Sequence, residues 1–118
     1  MADPKAGAQR EAEALEGKIK KLEASLEEVR LDLQSNHRVT ADYATDLSRL
    51  SRRLLRGDAT DRECREVERR VDGIDWLEQE RRRLRVTEED LRARLQGLRR
   101  AYTDHTSDRR AIERQEVV

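Results

Sequence analysis

LSRLSRRLLRGDATDRECREV, residues 47–67, is the stretch that decides the fold. Its first half repeats apolar residues as far as Leu54, and the repeat stops at Gly57, which an aspartate follows. Glycine and aspartate are typical of tight turns. Thr60 and Glu63 then have the spacing of a capping box, in which each side chain binds the backbone N–H of the other at the start of a helix. The stretch therefore predicts a helix, a tight turn and a second helix.

Outward from this turn, apolar residues recur at alternating steps of four and three, which is the spacing of a coiled-coil heptad. The first series is Leu15, Ile19, Leu22, Leu26, Val29, Leu33, Asn36, Thr40, Tyr43, Leu47, Leu50 and Leu54. The second series is Cys64, Val67, Val71, Ile74, Leu77, Arg81, Leu84, Glu88, Leu91, Leu95, Leu98 and Tyr102. Two successive steps of three, from Val71 to Leu77, are interpreted as a stammer, which overwinds a coiled coil locally.

The two series mirror each other about the turn. When the chain is folded there, residue i faces residue 117 − i, so that Leu50 meets Val67 and Asn36 meets Arg81. We therefore predict an all-α fold, an antiparallel helical hairpin coiled coil. Two alternatives stay open: a long parallel coiled-coil dimer that runs straight through Gly57, and a three-helix bundle with a break near residues 35–37.

The same reasoning predicts the boundaries of the segments. They are a frayed N-terminus over residues 1–9, a first long helix over 10–56, a turn over 57–60, a second long helix over 61–102, and a loose or short-helical tail over 103–118. The tail is expected to leave the helix because its threonines, aspartates and serine favour helix caps over helix interiors.

Composition narrows the class of protein. Charged residues make up 44% of the chain and hydrophobic residues 35%, which suits a coiled coil better than a compact globule. The 26 basic residues balance the 26 acidic ones, so we do not expect a nucleic-acid partner. One cysteine forms neither a disulfide framework nor a zinc cluster, and we expect no cofactor, no metal and no small-molecule substrate. Without an apolar run of membrane-spanning length or a signal-peptide core, the chain is expected to be intracellular and cytoplasmic.

A single hairpin of this composition is expected to be marginally stable, because one seam of apolar residues barely offsets the conformational entropy of two long helices. We therefore expect association with itself, as a homo-oligomer, or with another helical protein. Four apolar residues lie off the seam and form the candidate partner surface: Leu31, Val39, Trp76 and Val86. Exposed tryptophan is typical of interface anchors, although Trp76 could instead pack locally across the stammer.

A polar layer interrupts the apolar seam. Asn36 faces Arg81, and Thr40 lies beside them. Polar residues at core positions lower stability and fix the register or the number of partners. We interpret Asn36, Thr40 and Arg81 as a layer that sets pairing; a tolerated flaw or a hinge is the alternative.

The turn end of the hairpin is the other candidate contact surface, formed by Arg52, Arg53, Arg56, Asp58, Asp61 and Arg62. Its acids, with Glu63, give a hairpin tip that resembles the Gre-type transcript cleavage factors, in which such a tip helps hold a catalytic magnesium ion in RNA polymerase. The resemblance covers the hairpin shape and the Asp-x-x-Asp spacing alone. Eight arginines between residues 49 and 70 depart from it, and capping and helix-dipole roles explain the acids more simply.

The function predicted from the sequence is a non-catalytic coiled-coil scaffold or adaptor that mediates protein–protein interaction or self-assembly within a larger complex. The alternative is a hairpin factor that presents its arginine-rich, acidic-tipped end to a large enzyme, a nucleic-acid machine or a cytoskeletal polymer. We expect no catalytic residue, because no nucleophile–base pair or paired-acid cleft can be built on these helices.

Overall fold

The computed structural model describes residues 4–116 and consists of two long α-helices. Helix α1 comprises Pro4–Leu55 and helix α2 comprises Asp61–Glu116, and no strand occurs in this part of the chain. Contacts between the helices join residues on either side of the turn, such as Asn36 with Arg81. The predicted all-α antiparallel hairpin is confirmed.

The turn forms because Gly57 adopts a left-handed backbone conformation, with φ of 76°. This lets the N–H of Asp58 donate to the carbonyl of Arg53 at 3.0 Å and the N–H of Gly57 donate to the carbonyl of Leu54 at 3.1 Å. The pair of bonds is a Schellman motif, which satisfies carbonyls that the end of a helix would otherwise leave open. A residue other than glycine would be strained at this φ, so Gly57 fixes where α1 ends.

Helix α2 begins at the predicted capping box. The backbone N–H of Glu63 donates to Thr60 Oγ1 at 3.2 Å, and the backbone N–H of Thr60 donates to Glu63 Oε1 at 3.4 Å. Two N–H groups that the first helical turn cannot satisfy are thus bound reciprocally. Glu63 also pairs with Arg53 of α1 at 3.2 Å, which ties the two sides of the turn together.

The helices extend beyond the predicted boundaries. Helix α1 begins at Pro4 rather than at residue 10, and α2 continues to Glu116 rather than ending near 102. Thr103 and Thr106 lie inside the helix, where their hydroxyls donate to the carbonyls four residues earlier, at 2.9 and 2.8 Å, and do not cap a helix end. The first three and last two residues of the predicted frayed end and tail lie outside the described residues.

Two compact units divide the chain, and each contains part of both helices. The turn unit comprises residues 29–87 and buries Leu50 and Leu77. The terminal unit comprises the chain up to residue 28 and from residue 88, and it buries Leu26 and Leu95. In the terminal unit Tyr102 donates to Glu16 at 2.8 Å, and His105 Nε2 lies 2.8 Å from the carbonyl oxygen of Ala8. These contacts explain why the expected tail remains packed.

Two predicted seam residues are exposed. Leu54 has 41% of its surface exposed, because it lies in the last turn of α1 where the seam ends at the capping box. Val71 is 45% exposed, and the half-buried residue of that turn is instead Arg70. With Arg70 in place of Val71, the half-buried and buried positions 67, 70, 74, 77, 81 and 84 follow alternating steps of three and four. The two successive steps of three therefore lie at Cys64, Val67 and Arg70, nearer the start of α2 than predicted, and the steps from Arg70 to Leu84 alternate regularly.

Candidate contact site on the turn unit

The polar layer in the turn unit is a closed hydrogen-bond network. Asn36 is 3% exposed, and its Nδ2 donates to the carbonyl of Leu77 at 2.8 Å. Arg81 donates from Nε to Asn36 Oδ1 at 3.1 Å and from Nη2 to Thr40 Oγ1 at 3.0 Å. The Thr40 hydroxyl in turn donates to the carbonyl of Asn36 at 2.8 Å. The contacts lie where the mirror register places them; that the layer sets pairing stays a prediction.

Beside this layer is a groove of about 370 Å³, which we call the Trp76 groove. Its lining residues are Asp32, Ser35, Asn36, Val39, Tyr43, Gly73, Trp76, Leu77 and Glu80. Trp76 is 61% exposed, whereas Val39 is half-buried. Apolar atoms form more of its exposed lining than polar atoms do, and Asp32 and Glu80 add one carboxylate from each helix. The arrangement can hold an apolar side chain of a partner and attract basic groups around it.

The close approach of the helices at this groove depends on Gly73, which the sequence analysis missed. A Cβ atom at this position would lie 2.6 Å from Cε2 of Tyr43. Arg70 also contacts that ring, with its guanidinium carbon 4.4 Å from the ring centroid. The sequence did contain a signal: Gly73 lies inside a predicted helix, next to Ile74, which the mirror register places opposite Tyr43. Gly73 thus leaves room for Tyr43 to lie between the helices.

Leu31 and Val86 complete the predicted partner surface, and both are exposed. Neither lines the Trp76 groove. The structure therefore brings Val39 and Trp76 together at one groove and leaves the other two predicted residues outside it.

A second groove of about 330 Å³ lies nearer the turn, and we call it the arginine groove. Its lining residues are Asp46, Arg49, Leu50, Arg53, Arg62, Glu63, Glu66 and Arg70. Every acid in it is paired: Arg70 contacts Asp46 at 3.4 Å and Glu66 at 3.5 Å, and Glu63 pairs with Arg53. Within residues 4–116, Arg49 and Arg62 form no ion pair, so they give this groove an uncompensated positive charge.

The predicted tip residues are all exposed, but they do not form one site. Arg53 and Arg62 line the arginine groove, whereas Arg52, Arg56, Asp58 and Asp61 do not. Sequence reasoning also missed Leu55, which is 89% exposed at the end of α1. Its position just outside the heptad series was the available signal.

Among the acids of the tip, the Glu63 carboxylate binds the backbone. Glu63 is bound in the capping box and by Arg53, and the backbone carbonyl of Asp61 accepts a bond from Arg65. Among the residues that the structure describes, no three His, Cys, Asp or Glu side chains come together as metal ligands could. Neither described helix contains an apolar segment long enough to cross a bilayer.

Comparison with protein-family models, with curated proteins and with solved structures gave no match to this chain.

Proposed function

We propose that this chain is a non-catalytic coiled-coil adaptor that joins helical proteins, or copies of itself, into a larger assembly. The observation that carries the proposal is Trp76, which is 61% exposed at the edge of an apolar groove. Tryptophan is enriched among the residues that contribute most to binding at protein interfaces. Leaving this side chain in water has a cost that a partner would remove, at about 25 cal/mol for each Å² of apolar surface covered.

The thin core supports the same proposal. In the described part of the chain, four hydrophobic side chains are buried: Leu26, Leu50, Leu77 and Leu95. A helix pair with so small an apolar core gains stability when a third or fourth helix covers its half-buried seam. Binding free energy would then add to folding free energy, because a partner that binds only the folded chain stabilises it by mass action.

The tip remains a second candidate contact surface, and one observation favours it. Leu55 is 89% exposed, and its neighbours Arg52 and Arg56 are exposed as well. An apolar side chain among arginines can dock on an acidic partner surface, where electrostatic attraction raises the rate of association. On this reading the hairpin presents its turn end to a large partner.

Two matched variants separate the proposals. Trp76→Ala and Leu55→Ala each remove one exposed apolar side chain from the turn unit. The assembly formed by the tagged full chain is isolated under native conditions, and its mass is measured by light scattering. Loss of the assembly with Trp76→Ala alone supports the adaptor, and loss with Leu55→Ala alone supports the tip. An assembly that survives both substitutions contradicts both proposals.

A further inference from the structure

The Trp76 groove and the arginine groove lie on the same face of the turn unit. On α1, Asp32 and Val39 line the first groove and Asp46 and Arg53 line the second. These four residues are spaced by seven, and residues seven apart in a helix lie on one side of it. On α2, Gly73 of the first groove and Glu66 of the second have the same spacing.

The two grooves carry opposite uncompensated charges. Asp32 and Glu80 of the Trp76 groove form no ion pair in the part of the chain that the structure describes, and neither do Arg49 and Arg62 of the arginine groove. The remaining charges of the arginine groove are paired with one another. One face thus presents two unpaired carboxylates at one end and two unpaired guanidinium groups at the other.

A face of this kind is complementary to itself. Val39 and Arg53 are 14 residues apart, which is about 21 Å along a helix. Tyr43 of α1 and Gly73 of α2 line the end of the Trp76 groove that is nearer the arginine groove. A half-turn about an axis midway between the two grooves, perpendicular to the helices and parallel to the face, lays the Trp76 groove of one copy on the arginine groove of another. The same contact then forms a second time, as in isologous two-fold dimers.

We propose that a second copy of this chain covers this face, antiparallel to the first, with Trp76 buried in both copies. The inference rests on the proposed function and names the partner of its Trp76 groove. Asp32 and Glu80 of each copy meet Arg49 and Arg62 of the other, so the unpaired charges of both grooves are compensated. Reversing the direction of the second copy would place carboxylates on carboxylates and arginines on arginines, which opposes association.

Charge reversal tests the arrangement. Asp32→Arg with Glu80→Arg makes both grooves basic, and Arg49→Glu with Arg62→Glu makes both acidic. In sedimentation velocity we expect the unaltered chain to be a dimer, each double variant to be a monomer, and an equal mixture of the two variants to dimerise again. Circular dichroism confirms that each variant remains helical. A variant that stays dimeric, or a mixture that stays monomeric, overturns the proposal.

A second measurement needs no variant. Trp76 is the single tryptophan, so fluorescence excited at the long-wavelength edge of the indole absorption, where the two tyrosines do not absorb, reports on it alone. Concentrating the chain from the nanomolar range to about 100 μM, where even a weak dimer forms, should shift the emission to shorter wavelength as the indole leaves water. Unchanged emission together with a monomeric mass overturns the second-copy inference. If the Trp76→Ala variant nevertheless no longer forms the assembly isolated under native conditions, the proposed function still holds. The partner is then a helical protein other than a second copy of this chain.

Discussion

Replacing Gly73 with alanine should destabilise the protein, although alanine is the better helix former. A Cβ atom at residue 73 would lie 2.6 Å from Cε2 and 3.1 Å from Cδ2 of Tyr43. The ring cannot withdraw without cost, because Arg70 covers it with its guanidinium carbon 4.4 Å from the ring centroid. Gly97 provides a matched control, since a Cβ atom there meets nothing within 4 Å.

The magnitude follows from two opposing terms. Alanine stabilises a helix interior by about 1 kcal/mol relative to glycine. Inserting a methyl group into an occupied space typically costs about 1–3 kcal/mol. Gly73→Ala should therefore lower the free energy of unfolding by about 1 kcal/mol, whereas Gly97→Ala should raise it by about 1 kcal/mol. The two variants then differ by about 2 kcal/mol, although each makes the same chemical change.

Urea unfolding followed by circular dichroism measures this difference at one protein concentration. With a denaturant slope of about 2 kcal/mol per molar, the midpoints of the two variants should be about 1 M apart. In a Tyr43→Ala background the space is open, and Gly73→Ala should become stabilising. Equal stabilisation by Gly73→Ala and Gly97→Ala in the unaltered background would refute the argument that the tyrosine ring requires a glycine.

Three further perturbations test other parts of the fold. Replacing Asn36 and Arg81 together by leucine should raise the melting temperature, because an apolar layer replaces a buried polar one; if the layer sets pairing, sedimentation should then show several species rather than one. Thr60→Ala should lower the free energy of unfolding by about 1 kcal/mol through loss of the capping box, and Thr60→Ser should restore most of it in urea unfolding. The hydrogen bond and the negative charge of Glu16 raise the pKa of Tyr102 above its usual value of 10.0. This contact therefore stabilises the fold below pH 10 and is lost as the pH rises through the raised pKa, and Glu16→Gln should lower the pKa of Tyr102 in an absorbance titration.

Much of the turn unit could be predicted from spacing alone. The rule that residue i faces residue 117 − i placed Asn36 opposite Arg81, and these residues are hydrogen-bonded. The capping box at Thr60 and Glu63 is also present. Both predictions succeeded because helix periodicity and backbone capping are local rules that a sequence expresses directly.

The errors concern side chains that are both apolar and polar. Val71 was assigned to the seam because it is aliphatic, yet the seam position belongs to Arg70, whose long stem packs while its guanidinium covers Tyr43. Its Nε is buried without a hydrogen-bond partner, which residue type alone could not indicate. The same limit applied to Thr103, whose hydroxyl donates to the carbonyl four residues earlier inside the helix and does not cap a helix end.

The grooves were less accessible to sequence reasoning. Trp76 and Val39 were recognised as apolar residues off the seam, and the structure places both at one groove. The pairing of Arg70 with Asp46, which leaves Arg49 and Arg62 without an acid in the arginine groove, depends on a distance between two helices. No pattern along one chain reveals which of many charges are already neutralised.

The turn at Gly57 has a consequence for how many chains make up one hairpin. Every contact between α1 and α2 could be made equally well by two molecules that exchange their second helices, as in domain swapping. The seam therefore does not decide between a closed monomer and an exchanged pair. The five residues between the helices determine which of the two forms. There the left-handed Gly57 and the hydrogen bonds donated by the backbone N–H groups of Gly57 and Asp58 make closure within one chain favourable. A strained turn would leave the heptads intact and convert the molecule into an intertwined dimer.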